Sequence, residues 1–263
     1  MQDNISKNDK LLTQKYSNVI VFVGNDIEYG SKVIQILIDK KIPITAICGE
    51  SAKRILTLIP KNKLRNVPVI NLKRPWQDKK FFTFINAHTI GINGGLEVLV
   101  PDLVLDLLSI VNCHPALLPN NRGSHHSFWT IMNETQAGAT LHWMVKEIDA
   151  GPVIDQTEIK WNFETTAENL QKQCNKACLI LIKRNIRKIM QNRTRASYPK
   201  KGGSIHYKKD ILKASTISEK QKISGKHLLK LIQATRHTDN GFYIQHEKQI
   251  FFIRAEVLKV DYT

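Results

Sequence analysis

The chain has 263 residues, enough to bury a substantial core as one large domain or one domain with an appendage. Its 42% hydrophobic and 24% charged residues exclude a disordered or fibrous class, and with no run of about 18 apolar residues a membrane-spanning helix is excluded too. The formal net charge of +16 suits an anionic partner such as nucleic acid or a nucleotide sugar; the basic residues are nevertheless spread along the whole chain, as on solvated faces.

Residues 1–17 form a polar leader without the apolar core of a signal peptide, which predicts a cytoplasmic protein. The four cysteines, Cys48, Cys113, Cys174 and Cys178, include no Cys-x-x-Cys pair, and Cys174 and Cys178 are one helical turn apart in an apolar stripe, so core packing is expected and no metal. Residues 18–24 read as a buried strand, 30–41 as a helix with Val33, Ile34, Leu37 and Ile38 on one face, and 42–48 as a second strand. Strand, helix, strand argues for a Rossmann-like, mostly parallel α/β sheet with flanking helices. Gly24 and Gly30 do not make Gly-x-Gly-x-x-Gly, which weighs against a dinucleotide, and no phosphate-cradling motif of the Walker type is present.

Two short apolar runs follow at 66–72 and 81–86, with Lys73, Arg74, Pro75 and Trp76 between them as a solvated loop or a nucleotide contact. Residues 85–91 end a strand, and 108–111 form a β-branched strand that leads into Asn112-Cys113-His114-Pro115. Residues two apart on a strand share a face, so the Asn112 amide and the His114 imidazole converge. A helix capped by Ser124 is expected over 124–134, then strands at 140–145 and 153–160 around a turn with Asp149 and Gly151, then a long amphipathic helix over 164–192. His125 and His126 lack a third ligand at zinc spacing. After a linker-like break at 198–203 come a short helix near 224–235 and a hairpin from 242–246 and 249–255, a small C-terminal appendage.

Asn112, His114, Pro115, Leu118, Pro119, Arg122 and Gly123, followed by His142, Asp149 and Gly151, reproduce the pattern Asn-x-His-Pro-x-Leu-Leu-Pro-x-x-Arg-Gly and then His, six residues, Asp-x-Gly. This resembles the catalytic core of the formyltransferases that use N10-formyltetrahydrofolate. The resemblance implies Asn112, His114 and Asp149 as catalytic residues: an amide donor for the oxyanion, a base for the acceptor amine, and a carboxylate that either tunes the imidazole or holds a proton-shuttling water. It implies a folate site at Ala87, His88, Thr89, Ile90, Gly91, His142 and Val145. Acceptor contacts are expected from the residues themselves at Arg122, His125, His126, Trp129, Trp76 and Tyr207, with surface histidines and packed aromatic rings as the other reading.

The tail is similar to that of the sugar N-formyltransferases, which implies a nucleotide-linked amino-dideoxysugar, dTDP-linked, as acceptor in the synthesis of O-antigen or another surface polysaccharide. It further implies a catalytic domain over 18–197, an appendage over 198–263 making dimer or nucleotide contacts, and a homodimer that binds neither membrane nor nucleic acid. Formylation of glycinamide ribonucleotide or methionyl-tRNA is the alternative within the family. A basic nucleic-acid-binding protein on an enzyme-like fold is the alternative outside it.

Overall fold

The computed structural model describes residues 15–60, 62–64, 66–200, 202–236 and 241–255. The expected polar leader therefore lies, up to residue 14, outside the described residues, as does the end of the chain beyond residue 255.

The chain opens with β1 (Asn18–Val23), α1 (Ile27–Asp39), β2 (Ile44–Gly49), α2 (Ala52–Leu56) and β3 (Val69–Ile70). A 3-10 turn (Pro75–Gln77), α3 (Lys80–Thr83), β4 (Thr89–Gly94), α4 (Asp102–Leu107) and β5 (Ser109–His114) follow. Next come β6 (Arg122–Gly123), α5 (His126–Asn133), β7 (Ala137–Trp143), β8 (Val153–Ile159) and α6 (Ala167–Met190). The remaining elements are β9 (Ile205–His206), α7 (Asp210–Ala214), β10 (Thr216–Ser218), α8 (Gly225–Thr235), β11 (Phe242–His246) and β12 (Gln249–Ile253). The main sheet runs β3-β2-β1-β4-β5-β7-β8. Its strands are parallel from β3 to β5, and β7 pairs antiparallel with β5, which gives the mostly parallel α/β sheet that the strand and helix pattern implies.

The chain divides into two compact units. The first holds the described residues up to His114 together with Thr140–Gln156 and Cys178–Pro199; the second holds Pro115–Ala139, Thr157–Ala177 and the residues from Lys200 onward. In the first unit the continuous apolar runs of β1 and β2 are explained by burial on both faces: Val19, Ile20, Val21 and Val23 are wholly enclosed. One core gathers Ile20, Phe22, Cys48, Phe81, Leu108 and Ile110, with Trp76 packed against it. Helix α1 begins where Asp26 accepts from the Tyr29 N–H at 2.9 Å, three residues before the Gly30 start that periodicity alone suggests.

The second unit has its own core of Phe128, Ile131, Leu170, Ile211, Leu231 and Phe242. The expected hairpin is present as β11 and β12, and the short strand β10 joins β11 in parallel to make a three-stranded sheet. Helix α8 is capped by Ser224, whose hydroxyl accepts from the His227 N–H.

Two local expectations differ from the structure. Residues 85–91 do not end a strand; β4 starts at Thr89, because the Asn86 side chain accepts the His88 N–H at 2.8 Å and its carbonyl the Thr89 N–H at 3.0 Å, turning the chain just before the strand. Nor does Ser124 cap α5. Its N–H donates to the His206 carbonyl at 2.9 Å, extending the β6–β9 pairing, and the helix starts at His126 behind a left-handed His125.

Candidate active site

Strand β5 changes character along its length. Ile110 lies in the apolar core, whereas Asn112 and His114, two and four residues on and therefore on the same face, bring an amide and an imidazole to the C-terminal end of the strand. The register continues this polar row across the sheet. Phe22 of β1 is opposite Asn93 of β4, Asn93 is opposite Asn112, and Asn112 is opposite His142 of β7.

Hydrogen bonds run along the row. The Asn93 amide Nδ2 donates to Asn112 Oδ1 at 3.0 Å, and Asn112 Nδ2 lies 3.1 Å from His142 Nε2 and donates to Asp149 Oδ1 at 3.3 Å. His142 Nδ1 is 3.0 Å from the Trp143 carbonyl, an atom that only accepts, so the Nδ1 proton lies there and the neutral ring presents Nε2 as an acceptor to Asn112. His114 Nδ1 approaches Asp149 Oδ2 at 3.3 Å, and His142 Nε2 is 3.5 Å from the other carboxylate oxygen. The two imidazoles are 6% and 1% exposed and the carboxylate 13%, so these contacts are made where water screens them little.

Asp149 reaches this position from a turn. Its φ of 48° is left-handed, a conformation that aspartate tolerates better than most residues, and the turn is pinned where the Trp143 N–H donates to the Pro152 carbonyl at 3.0 Å. Gly151 is required at the close approach: a Cβ there would sit 1.8 Å from the Trp143 carbonyl oxygen. On the opposite face of β5, Cys113 is buried beside Cys178 of α6, each thiol reaching the other's backbone carbonyl at 3.6 Å. Burial pushes the Cys113 thiol well above the usual range, and the Cys48 thiol up to about 12. All four cysteines are buried thiols, the packing role that their spacing suggested.

The other expected residues fall into separate groups. Ala87 and His88 are exposed at the N-terminal entry of β4, where the His88 carbonyl accepts the Ser17 N–H. Gly91 sits mid-strand, a Cβ there meeting Ile110 and Phe22. Residues 87–91 thus run into the sheet from its far end, Thr89 lying roughly 13 Å before Asn93 at the usual strand rise of about 3.3 Å per residue. Val145 is half-buried beside the Gly151 turn. Trp76 packs on the first unit's core, and Tyr207 is exposed with Lys209 above its ring.

In the second unit, β6 and β9 pair in parallel and bring Arg122 beside Ile205 and Gly123 beside His206. Gly123, at φ 86°, allows this because a Cβ would fall 2.2 Å from the His206 carbonyl oxygen. The His206 ring stacks on Trp129 with centroids 3.9 Å apart and planes 8° from parallel, and burial lowers its proton affinity. His125 and His126 stand at the start of the same helix as Trp129.

Two residues of these constellations were not singled out by sequence reasoning. Asn93 was signalled only by an Asn before a Gly-Gly pair at the end of an apolar run, which reads as turn chemistry. His206 was one of several polar residues in the tail. Among the described residues no group of three or more His, Cys, Asp or Glu could hold a metal ion, and no helix is long and apolar enough to cross a membrane.

Residues 87–185 match the family model described as Formyl transferase, and Asn112, His114, His142 and Asp149 all fall inside that match. Over that stretch the chain is similar to formyl transferases. Among curated proteins it is similar to the bifunctional polymyxin resistance protein ArnA of Wigglesworthia glossinidia brevipalpis, 26% identical over 91% of this chain and 38% of that one. The matched stretches of methionyl-tRNA formyltransferases from Macrococcus caseolyticus and Thermotoga maritima are 43% and 53% of those proteins, so the chain spans about half or less of the length of the curated relatives it matches.

Among solved structures, a 4-N formyltransferase from Francisella tularensis shares the fold with a TM-score of 0.77 at 21% identity, covering 93% of this chain and 99% of that one. The N-formyltransferase from Helicobacter canadensis, in complex with folinic acid and dTDP-3-aminofucose, has a TM-score of 0.64 at 19% identity, covering 89% and 85%.

Proposed function

We propose that the chain transfers the formyl group of N10-formyltetrahydrofolate to the amino group of a nucleotide-linked amino-dideoxysugar, with a dTDP-linked sugar as the first acceptor to test, in the synthesis of O-antigen or another surface polysaccharide. The observation that carries this reading is the group that Asn112 and His114, toward the C-terminal end of β5, make with His142 of the antiparallel β7 and with Asp149 of the turn after it. The choice of a sugar acceptor draws on the Helicobacter enzyme in complex with dTDP-3-aminofucose, whose likeness covers 89% of this chain and 85% of its own. The folate donor draws on the formyl transferase match and on the folinic acid of the Helicobacter complex.

Each service the reaction needs has a group here. The acceptor amine attacks the formyl carbon, and the negative charge that gathers on the formyl oxygen takes an N–H of Asn112, exchanging the long 3.3 Å bond to Asp149 for a shorter one. His114 takes the proton that the amine loses: with Nδ1–H turned to Asp149, its Nε2 carries the lone pair. Asp149 either stabilises the imidazolium formed or holds a water that carries a proton to N10 as the C–N bond breaks. The amine is itself the nucleophile, so no serine or cysteine is needed, and the buried Cys113 takes no part.

The folate is proposed to lie against residues 93–96, at the end of β4 that meets Asn112, together with His142 and Val145. The acceptor is proposed to meet Arg122, His125, His126 and Trp129, with His206 added to them. Residues from 198 onward act as the appendage and pair two copies as a homodimer through the exposed Ile250, Phe251 and Phe252 of the edge strand β12. The enzyme works in the cytoplasm.

The test is release of tetrahydrofolate from N10-formyltetrahydrofolate in the presence of dTDP-linked 3-amino and 4-amino sugars, glycinamide ribonucleotide and methionyl-tRNA in parallel. Turnover with a sugar supports the whole reading. Turnover with the ribonucleotide or the tRNA alone keeps the chemistry and overturns the acceptor, and a protein that neither binds folate nor turns over points back to an anionic polymer as the partner of its +16 charge.

A further inference from the structure

We infer that Asn93 is a positioning residue that decides which end of the Asn112 side chain faces the reaction, an inference that rests on the formyl-transfer reading above. The oxygen and nitrogen of an asparagine amide exchange places by half a turn about one bond, so their order is set by partners. Asn93 Oδ1 accepts the Gly95 N–H at 3.1 Å and the Leu96 N–H at 2.8 Å. Backbone N–H groups only donate, so that atom is the oxygen. Asn93 Nδ2 is thereby left to donate to the Leu96 carbonyl at 3.2 Å and to Asn112 Oδ1 at 3.0 Å. With its oxygen held, Asn112 turns its NH2 toward His142 and Asp149.

The far side of Asn112 asks for the same orientation, but from groups of another kind. His142 Nε2 and the Asp149 carboxylate are each able to carry a proton, and a partner that carries one donates it to Asn112 Oδ1 instead of holding the NH2. Asn93 does not titrate, and its own oxygen is anchored on the backbone of its own turn. It holds the N–H of Asn112 toward the developing oxyanion through every protonation state of the cycle. Without it, Asn112 can rotate and set an oxygen against that charge.

Asn93→Asp separates this role from a structural one, because it keeps the shape and the acceptor for Gly95 and Leu96 but turns an oxygen on Asn112 Oδ1. At neutral pH we expect kcat to fall about tenfold to a hundredfold while the KM for the acceptor stays near that of the unaltered protein. The ratio of variant to unaltered kcat should rise as pH is lowered, since the introduced carboxyl then regains a proton to donate to Asn112. In Asn93→Ala, with no donor to restore, the ratio should be low and flat with pH. A normal kcat in Asn93→Asp, or a ratio that ignores pH, overturns the proposal.

A second measurement does not depend on turnover. The nitrogen–nitrogen coupling across the hydrogen bond from Asn112 Nδ2 to His142 Nε2, read by NMR on the 15N-labelled full chain, should be present in the unaltered protein and lost in Asn93→Asp at neutral pH. Its survival in the variant overturns the proposal, whereas an unaltered protein that shows the coupling and transfers no formyl group overturns only the reading of function.

Discussion

Asn112 and His142 face each other across the antiparallel pair β5 and β7, with Nδ2 of the one 3.1 Å from Nε2 of the other. The carbonyl of Trp143 takes the Nδ1 proton of the imidazole, so while Nε2 carries no proton this contact runs from amide to ring. That leaves the Asn112 amide as the group from which an N–H can be lent to an oxyanion.

Asn112→Ala should accordingly lower kcat by about a hundredfold to a thousandfold, with folate affinity nearly unchanged. Steady-state rates of tetrahydrofolate release, set beside folate binding by calorimetry, check both halves. An unchanged kcat would remove the amide from the mechanism.

Asp149→Asn distinguishes the two roles of the carboxylate. If Asp149 stabilises the imidazolium of His114, the variant is slower and the acid limb of its pH–rate profile moves to lower pH, because the protonated ring has lost its counter-charge. If it holds a water instead, the rate falls and the profile stays in place.

Gly151→Ala should damage stability and activity together. The added methyl meets the Trp143 carbonyl carbon and oxygen, both backbone atoms that cannot swing aside, so the turn that carries Asp149 has to open. A loss of about 2 to 4 kcal/mol is expected from such a clash, visible in urea denaturation.

Glu134 provides a pH test away from the site. Hydrogen bonds from Lys226 and Lys230 of α8 hold its carboxyl down to about 2 from the ordinary 4.5. A carboxylate depressed in the folded state stabilises it above the unfolded value, and that contribution fades as pH falls from about 4.5 through 2. Glu134→Gln should therefore lower Tm slightly at neutral pH and match the unaltered protein near pH 2. The effect is small because the Glu134 carboxylate is solvent-exposed.

The sheet and the polar row were legible to different degrees for physical reasons. Continuous β-branched runs such as that of β1 announce strands buried on both faces, and the two-residue spacing of Asn112 and His114 announces a shared face. Spacing does not reveal register, however. That Asn93 lies opposite Asn112 depends on where β4 starts, and the Asn86 turn sets that start through hydrogen bonds that no periodicity reports. Residues 87–91, which the resemblance puts in the folate site, enter the sheet from its other end. His206 was illegible because its partner Trp129 is far away in sequence and meets it only through the two-residue strands β6 and β9.

The polar row also orders events in folding. Its members come from strands whose paired residues are 19 positions apart for Asn93 and Asn112 and 30 apart for Asn112 and His142. Contacts that close longer loops carry a larger entropy cost and tend to form later. The longest loop in the row closes where Phe22 of β1 pairs with Asn93, 71 positions on, so on dilution from denaturant catalytic competence should return only when β1 has docked on β4, making the regain of activity a clock for the closing of the parallel sheet.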